Sequence, residues 1–371
     1  MTKRSALATL LALALAGPAG AAEPLKIGLA APLSGPDAGF GQGARLGAEQ
    51  AVAEINRAGG VLGRRLLLVV QDDAADPKQA VAVARRFASS GVRFVVGPLT
   101  SGAGAAASAV YEEAGIVSVT PGATWAPLTR RGAGLLFRLG GSDAQQGTLG
   151  GTLLAERFRG KPVAIVHDKT SFGRGLADEA ARALKARGGP ERLFEGVSRD
   201  DRETAALVAK LRALGIEALY FGGLSAPAAG LIRAMREAGL TTTVIGSDGL
   251  LDKEFAQVPG AEGTLMTVPS APPRLPEPKG AAKAPRSPEA EMFAGPAYAA
   301  VEVVRQGIDG ARSAEPARVA AFLHGGAPLR TVLGEVAFDG SGDLVKPPFA
   351  VTAWRRLPDG RLDFAGNEVS P

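Results

Sequence analysis

The feature that most constrains this chain is an alternation between short apolar runs of strand length and longer segments with helical periodicity. The runs are nearly continuous in Val, Leu, Ile and Ala, as is typical of parallel strands covered on both faces. Alternating β and α segments predict an α/β fold with parallel sheets between layers of helices. The predicted strands are 25–33, 66–71, 92–96, 116–119, 135–139, 163–166, 218–221, 244–246, 332–338 and 349–354, and the later predicted helices are 293–304 and 316–323.

The second strand is followed by a clear helix start. Asp76 is a typical N-cap, Pro77 suits the first helical position, and Gln79 completes the pattern of a capping box. Asp72 and Asp73, at the end of the strand, resemble an acid/base pair. Adjacent strand residues point to opposite faces, however, so we interpret these two as capping and salt-bridging groups.

The N-terminus predicts export. Lys3 and Arg4 precede an Ala/Leu/Thr run over 6–16, and small residues follow up to Ala22, so a cleaved signal peptide is expected over 1–22. The chain contains no cysteine, which excludes a disulfide framework, a thiolate metal site and a lipid anchor on cysteine. We expect a periplasmic protein that is not embedded in the membrane.

Several other classes of function are disfavoured. The net charge is +5, but the arginine pairs are scattered and lack interleaved aromatic residues, so no nucleic-acid partner is expected. The only histidines, His167 and His324, lack metal-ligand spacing, and we expect no metal, cofactor or catalytic residue. Gly41, Gly43 and Gly47 evoke a dinucleotide fingerprint, but their spacing is wrong and a long loop separates them from the strand.

The length of 371 residues suits two lobes better than one core. The alternation of strands and helices pauses at 140–142 and again over 269–290, a stretch rich in proline and basic residues. We interpret the first pause as a crossover between lobes, and the second as a long loop just after another crossover.

Loops at the carboxyl ends of parallel strands are where an α/β sheet binds its ligands. Ser101 and Gly102 open an alanine-rich helix whose N–H groups and dipole favour an anion. Ala123 and Thr124 follow the next strand and offer carbonyls and a hydroxyl. Asp248 follows a strand in the second half of the chain and offers a carboxylate.

Two aromatic residues fall between or beside glycines after predicted strands. Phe40 and Phe172 are expected in loops, where an aromatic side chain is better suited to a ligand pocket than to a core. An anion site, one carboxylate and apolar walls together fit a zwitterion, and therefore an α-amino acid.

Several runs of this sequence resemble the branched-chain amino-acid-binding family of periplasmic receptors that serve ABC transporters. The likeness extends from Lys26 to Trp354 and is dense over 47–56, 72–84, 111–116, 164–169 and 220–223. It implies a type I periplasmic-binding fold, with two Rossmann-like lobes joined by three crossovers around a ligand cleft. The expected lobes are 23–140 plus 270–346 and 141–269 plus 347–371.

The resemblance also implies residue roles. Ser101, Gly102 and Thr124 would bind the ligand carboxylate, with Gly102 standing where the family has a serine. Asp248 and the Ala123 carbonyl would bind the ammonium group, Asp248 being one methylene shorter than the family's usual glutamate. The residues expected to line the ligand side chain, at positions where relatives carry Tyr, are Phe40, Phe172 and Leu224.

The expected function is therefore that of a monomeric, non-enzymatic receptor that carries a small L-amino acid to the membrane subunits of an ABC permease. Three alternatives stay open. The same fold could serve an amide, a urea or an aromatic carboxylate, or a cytoplasmic regulator that senses a ligand. A nucleotide-dependent oxidoreductase is the third, which export and the glycine spacing disfavour.

Overall fold

The computed structural model describes residues 23–35, 37–130, 134–198, 200–251, 255–270, 275, 288–347, 349–364 and 369. The leader expected over 1–22 and most of the proline-rich stretch lie outside these residues. The strands are β1 (Leu25–Ala31), β2 (Leu66–Asp72), β3 (Phe94–Val96), β4 (Val117–Thr120), β5 (Leu136–Arg138), β6 (Val163–His167), β7 (Leu193–Gly196), β8 (Ala218–Gly222), β9 (Thr243–Gly246), β10 (Leu265–Pro269), β11 (Leu329–Thr331), β12 (Gly334–Val336), β13 (Phe349–Ala353), β14 (Arg355–Arg356) and β15 (Leu362–Asp363). The helices are α1 (Ala38–Arg57), α2 (Pro77–Ser89), α3 (Ser101–Glu113), α4 (Pro127–Arg130), α5 (Asp143–Arg157), α6 (Ser171–Ala186), α7 (Asp201–Ala213), α8 (Ser225–Glu237), α9 (Pro288–Ala311) and α10 (Pro316–His324).

The first sheet has five parallel strands in the order β2-β1-β3-β4-β5. Its central strands are apolar on both faces because helices cover both: α1, α9 and α10 share a core with one face, and α2 and α3 with the other. In register, Leu29 of β1 lies between Val70 of β2 and Val96 of β3.

The second sheet has six strands in the order β13-β10-β9-β8-β6-β7, with α5 and α6 on one face and α7 and α8 on the other. All of its pairs are parallel except β10 with β13, where Leu265 lies opposite Ala353 in antiparallel register. The chain passes from the first sheet to the second after β5. After β10 it continues through α9, α10 and the separate β11–β12 hairpin, which share the core of the first sheet, and it returns to the second sheet at β13. The predicted α/β fold is confirmed.

The glycines that evoke a dinucleotide fingerprint serve close packing instead. A Cβ at Gly47 would lie 1.9 Å from the carbonyl oxygen of Ala294 in α9, and one at Gly41 would lie 1.7 Å from that of Pro32. Only glycine permits this approach of α1 to α9 and to the end of β1.

Some elements differ from the prediction. In place of the strand expected over 332–338, residues 332–333 form the turn of a hairpin between β11 and β12, and Gly334, the first residue of β12, has a φ of 97°. Helix α9 begins five residues before the expected start, at Pro288, where proline is tolerated because the first-turn N–H needs no partner. The half-buried edge strand β7, the strand β10 and the small β14–β15 hairpin were not predicted.

The capping prediction at Asp76 holds in part. Its carboxylate accepts a hydrogen bond from the Gln79 N–H at 2.8 Å. The Gln79 side chain, however, donates to the carbonyl oxygen of Asp72 at 2.8 Å, which ties α2 to the end of β2 rather than closing a capping box. As expected, Asp72 is a capping group: its carboxylate accepts from the N–H groups of Leu33 and Ala74.

Candidate functional site

The amino end of α3 lies at the carboxyl edge of the first sheet. Thr100 caps the helix and accepts from the Ala103 N–H at 3.4 Å. Helix geometry leaves the N–H groups of Ser101 and Gly102 without intrahelical acceptors, and the first turn has no acidic residue to offset the helix dipole. A Cβ at Gly102 would meet only Pro77, at 3.8 Å, so packing does not require glycine there.

Ser101 holds the loop that follows β4. Its Oγ accepts hydrogen bonds from the backbone N–H groups of Thr124 and Trp125, at 3.2 and 3.1 Å. Both of these bonds use lone pairs of the oxygen, so the O–H group of Ser101 can still donate a hydrogen bond. The structure thus brings Ser101 and Thr124 together at the carboxyl edge of the first sheet, beside the amino end of α3.

Ala123 has a protein partner at the atom that was expected to contact the ligand. Its side chain is buried, its N–H donates to Thr120 Oγ1 at 3.1 Å, and its carbonyl accepts from Arg138 Nη1 at 3.1 Å. The Arg138 guanidinium therefore uses one of the two lone pairs of the carbonyl oxygen that was expected to bind the ligand ammonium, and the other lone pair is the one that a ligand would have to use.

Asp248 begins a single 3₁₀ turn directly after β9, where Ser247 Oγ accepts from the Gly249 N–H at 3.2 Å. The Asp248 carboxylate accepts from Gln146 Nε2 of α5 at 3.0 Å, and the same amide group donates to the carbonyl oxygen of Thr267 at 2.8 Å. Burial raises the pKa of Asp248, and the bonds from Gln146 and from the backbone at Asp248 and Gly249 partly oppose this rise.

The aromatic residues lie on helices rather than in loops. Phe172 is the second residue of α6, half-buried beside the Asp248 turn; a Cβ at Gly249 would lie 3.2 Å from its ring. Phe40 lies in the first turn of α1 and packs edge-to-face on Phe293, with ring centroids 5.5 Å apart. The glycines on either side of Phe40 lie within α1, and Gly41 packs against the carbonyl oxygen of Pro32, just after β1.

Phe293 was not identified from the sequence, although it borders the β4 loop: a Cβ at Gly122 would lie 2.5 Å from its ring. Phe40 and Phe293 therefore form an apolar wall beside the loop that carries Thr124. Leu224 is the residue before α8 and is 47% exposed, and its N–H donates to Asp168 Oδ2 at 3.0 Å.

The sequence also gave no indication that Asp143 belongs to this region. Asp143 opens α5 at the first crossover, where its N–H donates to the Thr124 carbonyl oxygen at 2.9 Å and its carboxylate accepts a bond from the Thr124 side chain. Burial raises the pKa of Asp143, and the negative charge of Asp248 contributes. The available signal was Ser142 with Gln145, which form a capping box and mark the start of α5.

Neither histidine points to metal chemistry. His167 Nδ1 accepts from the Lys169 N–H at 3.0 Å, and His324 contacts the carbonyl oxygens of Gly134 and Asp339. Over the described ranges, no cluster of three or more potential metal-ligating side chains occurs. No helix in those ranges is long and apolar enough to cross a bilayer.

Comparison with known proteins relates this arrangement to one family. The periplasmic binding protein family matches residues 24–360. The chain is 38% identical over 342 residues to the Leu/Ile/Val-binding protein homolog 1 of Brucella melitensis, covering 91% of this chain and 92% of that one. It is 39% identical over 353 residues to the leucine-, isoleucine-, valine-, threonine-, and alanine-binding protein of Pseudomonas aeruginosa, covering 93% and 94%.

The fold is also similar to that of known substrate-binding proteins. The structure is similar to that of an ABC transporter substrate-binding protein from Desulfitobacterium hafniense in complex with Leu, with a TM-score of 0.70 and 26% identity. The match covers 92% of this chain and 99% of the other. Sequence and fold agree over nearly the whole length, which confirms the expected resemblance. The chain belongs to the periplasmic binding protein family.

Proposed function

We propose that this protein is a receptor that binds a small apolar L-amino acid, of the branched-chain type, and delivers it to the membrane subunits of an ABC permease. The observation that carries the proposal is the pairing of two opposite electrostatic environments. The amino end of α3, with Ser101 and Thr124, favours a carboxylate, whereas the partly buried Asp248 favours a cation.

The apolar character of the ligand is supported by what surrounds these polar groups. Phe172 lies beside Asp248, and Phe40 with Phe293 lies beside the loop that carries Thr124. Relatives over the full length are named for binding leucine, isoleucine and valine. Leu224, exposed at the start of α8, is a further candidate for contact with the ligand side chain.

We further propose that binding proceeds by closure of two lobes, 23–140 plus 270–346 and 141–269 plus 347–371, about the chain crossings. A ligand that contacts groups from both sheets stabilises the closed arrangement because it binds that arrangement more tightly than the open one. Periplasmic location, export by the leader over 1–22, a monomeric state and the absence of catalysis belong to the same proposal.

The test is titration calorimetry with leucine, isoleucine and valine on wild type and on Asp248→Ala. Removing the carboxylate leaves the ligand ammonium group without its counter-charge, so the variant should lose about 3 kcal/mol of binding free energy, or roughly 150-fold in Kd. Asp359→Ala is the control, because Asp359 is exposed and paired with Arg361 in a surface hairpin.

Equal losses in the two variants, or near wild-type affinity for Asp248→Ala, would refute the assignment of the ammonium site. Binding of an amide, a urea or an aromatic carboxylate by wild type, with no response to the three amino acids, would replace the amino acid as the ligand.

A further inference from the structure

A buried carboxylate joins two loops at the carboxyl edge of the second sheet. Asp168 follows β6 directly and is buried, and its Oδ1 accepts hydrogen bonds from the N–H and the hydroxyl of Thr170, at 3.0 and 2.5 Å. Its Oδ2 accepts from the N–H of Leu224 at 3.0 Å, and its own N–H donates to the carbonyl oxygen of Gly222 at 3.0 Å. Because β6 and β8 are neighbours in the sheet, this one residue ties together the loops that follow both strands.

The same carboxylate lies at the start of two helices. Thr170 is the N-cap of α6, where its Oγ1 accepts from the Gly173 N–H at 3.0 Å. Leu224 is the N-cap of α8 and makes no capping bond with its side chain, although Ser, Thr, Asp and Asn are preferred at that position. Asp168 instead accepts from one of the N–H groups that α8 leaves unpaired at its start, and it places a carboxylate near the positive end of the helix dipole. The needs of α8 therefore do not explain the exposed leucine, which indicates a contact outside the helix.

Close backbone contacts hold the loops around this carboxylate. A Cβ at Gly173 would lie 2.2 Å from Asp168 Oδ1, and one at Gly223 would lie 2.5 Å from Asp168 Cγ. A Cβ at Gly249, in the turn after β9, would lie 2.3 Å from the carbonyl oxygen of Gly223 and 3.2 Å from the ring of Phe172. The loops after β6, β8 and β9 therefore pack on one another as a unit, with the carboxylate at its centre.

We propose, on the basis of the receptor function above, that Asp168 is a positioning residue that sets the fit of the ligand side chain. Because it serves the start of α8 in place of a capping side chain, it leaves position 224 free to carry an apolar residue. Because it bonds to both loops, it holds Phe172 and Leu224 in one fixed wall. Asp248 is held separately, by its bond from Gln146, so the loss of Asp168 acts on contacts with the ligand side chain more than on the ammonium site.

The test is titration calorimetry of wild type and Asp168→Asn with leucine, valine and alanine. The side chain of asparagine has a single acceptor oxygen, so it cannot serve Thr170 and Leu224 at once, and the wall loses one of its two attachments. Each side-chain carbon by which leucine exceeds alanine is worth roughly fourfold in Kd when fully buried. We expect the variant to weaken Kd by about tenfold for leucine, by less for valine and by at most about twofold for alanine.

Gly173→Ala tests the same junction from the side of α6, because its methyl group would press on Asp168 Oδ1, and it should change the ratio of the leucine and alanine Kd values in the same direction. Gly175→Ala is the matched control, since that glycine lies further along α6 with open space around it, and it should leave the ratio unchanged. Asp200→Asn should leave it unchanged as well, because Asp200 caps α7 through one oxygen that asparagine retains.

Equal weakening for the three amino acids, or unchanged affinity for leucine, in Asp168→Asn would overturn the positioning role while leaving the receptor function intact. If Asp168→Asn does not fold, an unchanged ratio in Gly173→Ala has the same consequence. A wild type that binds none of the three amino acids would remove the receptor function and this inference with it.

Discussion

Arg138 offers the most direct test of how this protein holds the loop that carries Thr124. Its side chain is completely buried, and its guanidinium pairs with Asp343 at 2.8 Å. It also donates to the carbonyl oxygens of Ala123 and Trp125, at 3.1 and 3.0 Å, and to Thr129 Oγ1 at 2.9 Å. One cation therefore fastens the loop that carries Thr124 to the turn between Phe338 and Leu344, which form an antiparallel bridge after β12.

Replacing Arg138 by Met keeps most of the apolar volume of the side chain but leaves the hydrogen-bond acceptors around it without a donor. The Asp343 carboxylate would be left buried and unpaired, which alone costs about 3–5 kcal/mol. Two carbonyls and a hydroxyl lose charged donors as well, so we expect a loss of at least about 4 kcal/mol in the free energy of unfolding. That is a large share of the roughly 5–15 kcal/mol that stabilises a typical domain.

Urea unfolding measures this loss. The two tryptophans lie in different parts of the fold, so Trp354→Phe leaves Trp125, adjacent to Arg138 in space, as the fluorescent reporter of the first sheet. The control is Arg45→Met, which removes an exposed pair with Glu49 on α1 and should cost at most about 1 kcal/mol. Adding Asp343→Leu to Arg138→Met should recover about 2 kcal/mol of the sum of the single losses. Equal losses for Arg138→Met and Arg45→Met, or strictly additive effects in the cycle, would refute this account.

Two further predictions concern packing and pH. Gly47→Ala forces a methyl group against the backbone of α9, so it should destabilise the protein by about 2 kcal/mol or more. By contrast, Gly230→Ala, within α8 and with open space around it, should stabilise by up to about 1 kcal/mol; similar thermal melting of the two variants would contradict this. Burial raises the pKa of Asp73 to about 6, so its contribution to stability is full at low pH and is lost as the pH rises from about 4 through 6. Asp73→Asn should therefore stabilise by up to about 3 kcal/mol at pH 7 and by little at pH 4, and the same urea midpoint shift at both values would exclude this cause.

The polar residues at strand ends could be located from the sequence because strand and helix signals are local. The run before Thr100 and the alanine-rich segment after it place Ser101 at the start of a helix, and Asp248 follows an apolar strand in the same way. Phe40 was misplaced because glycines were interpreted as loop formers. Their actual role, contact between α1 and distant backbone, leaves no local trace.

The sequence by itself therefore determined most of the alternation of strands and helices, the capped helix starts such as that of α2, and the strand ends that carry the proposed ligand-binding residues, since these depend on periodicity and capping over a few residues. Only the tertiary structure decided which partner each polar group receives. Gln146 meets Asp248 across 102 residues and Arg138 meets Asp343 across 205. Such pairings arise when separate segments pack, so the bond from Arg138 to the Ala123 carbonyl and the bond from Asp143 to the Thr124 carbonyl follow from folding of the whole chain.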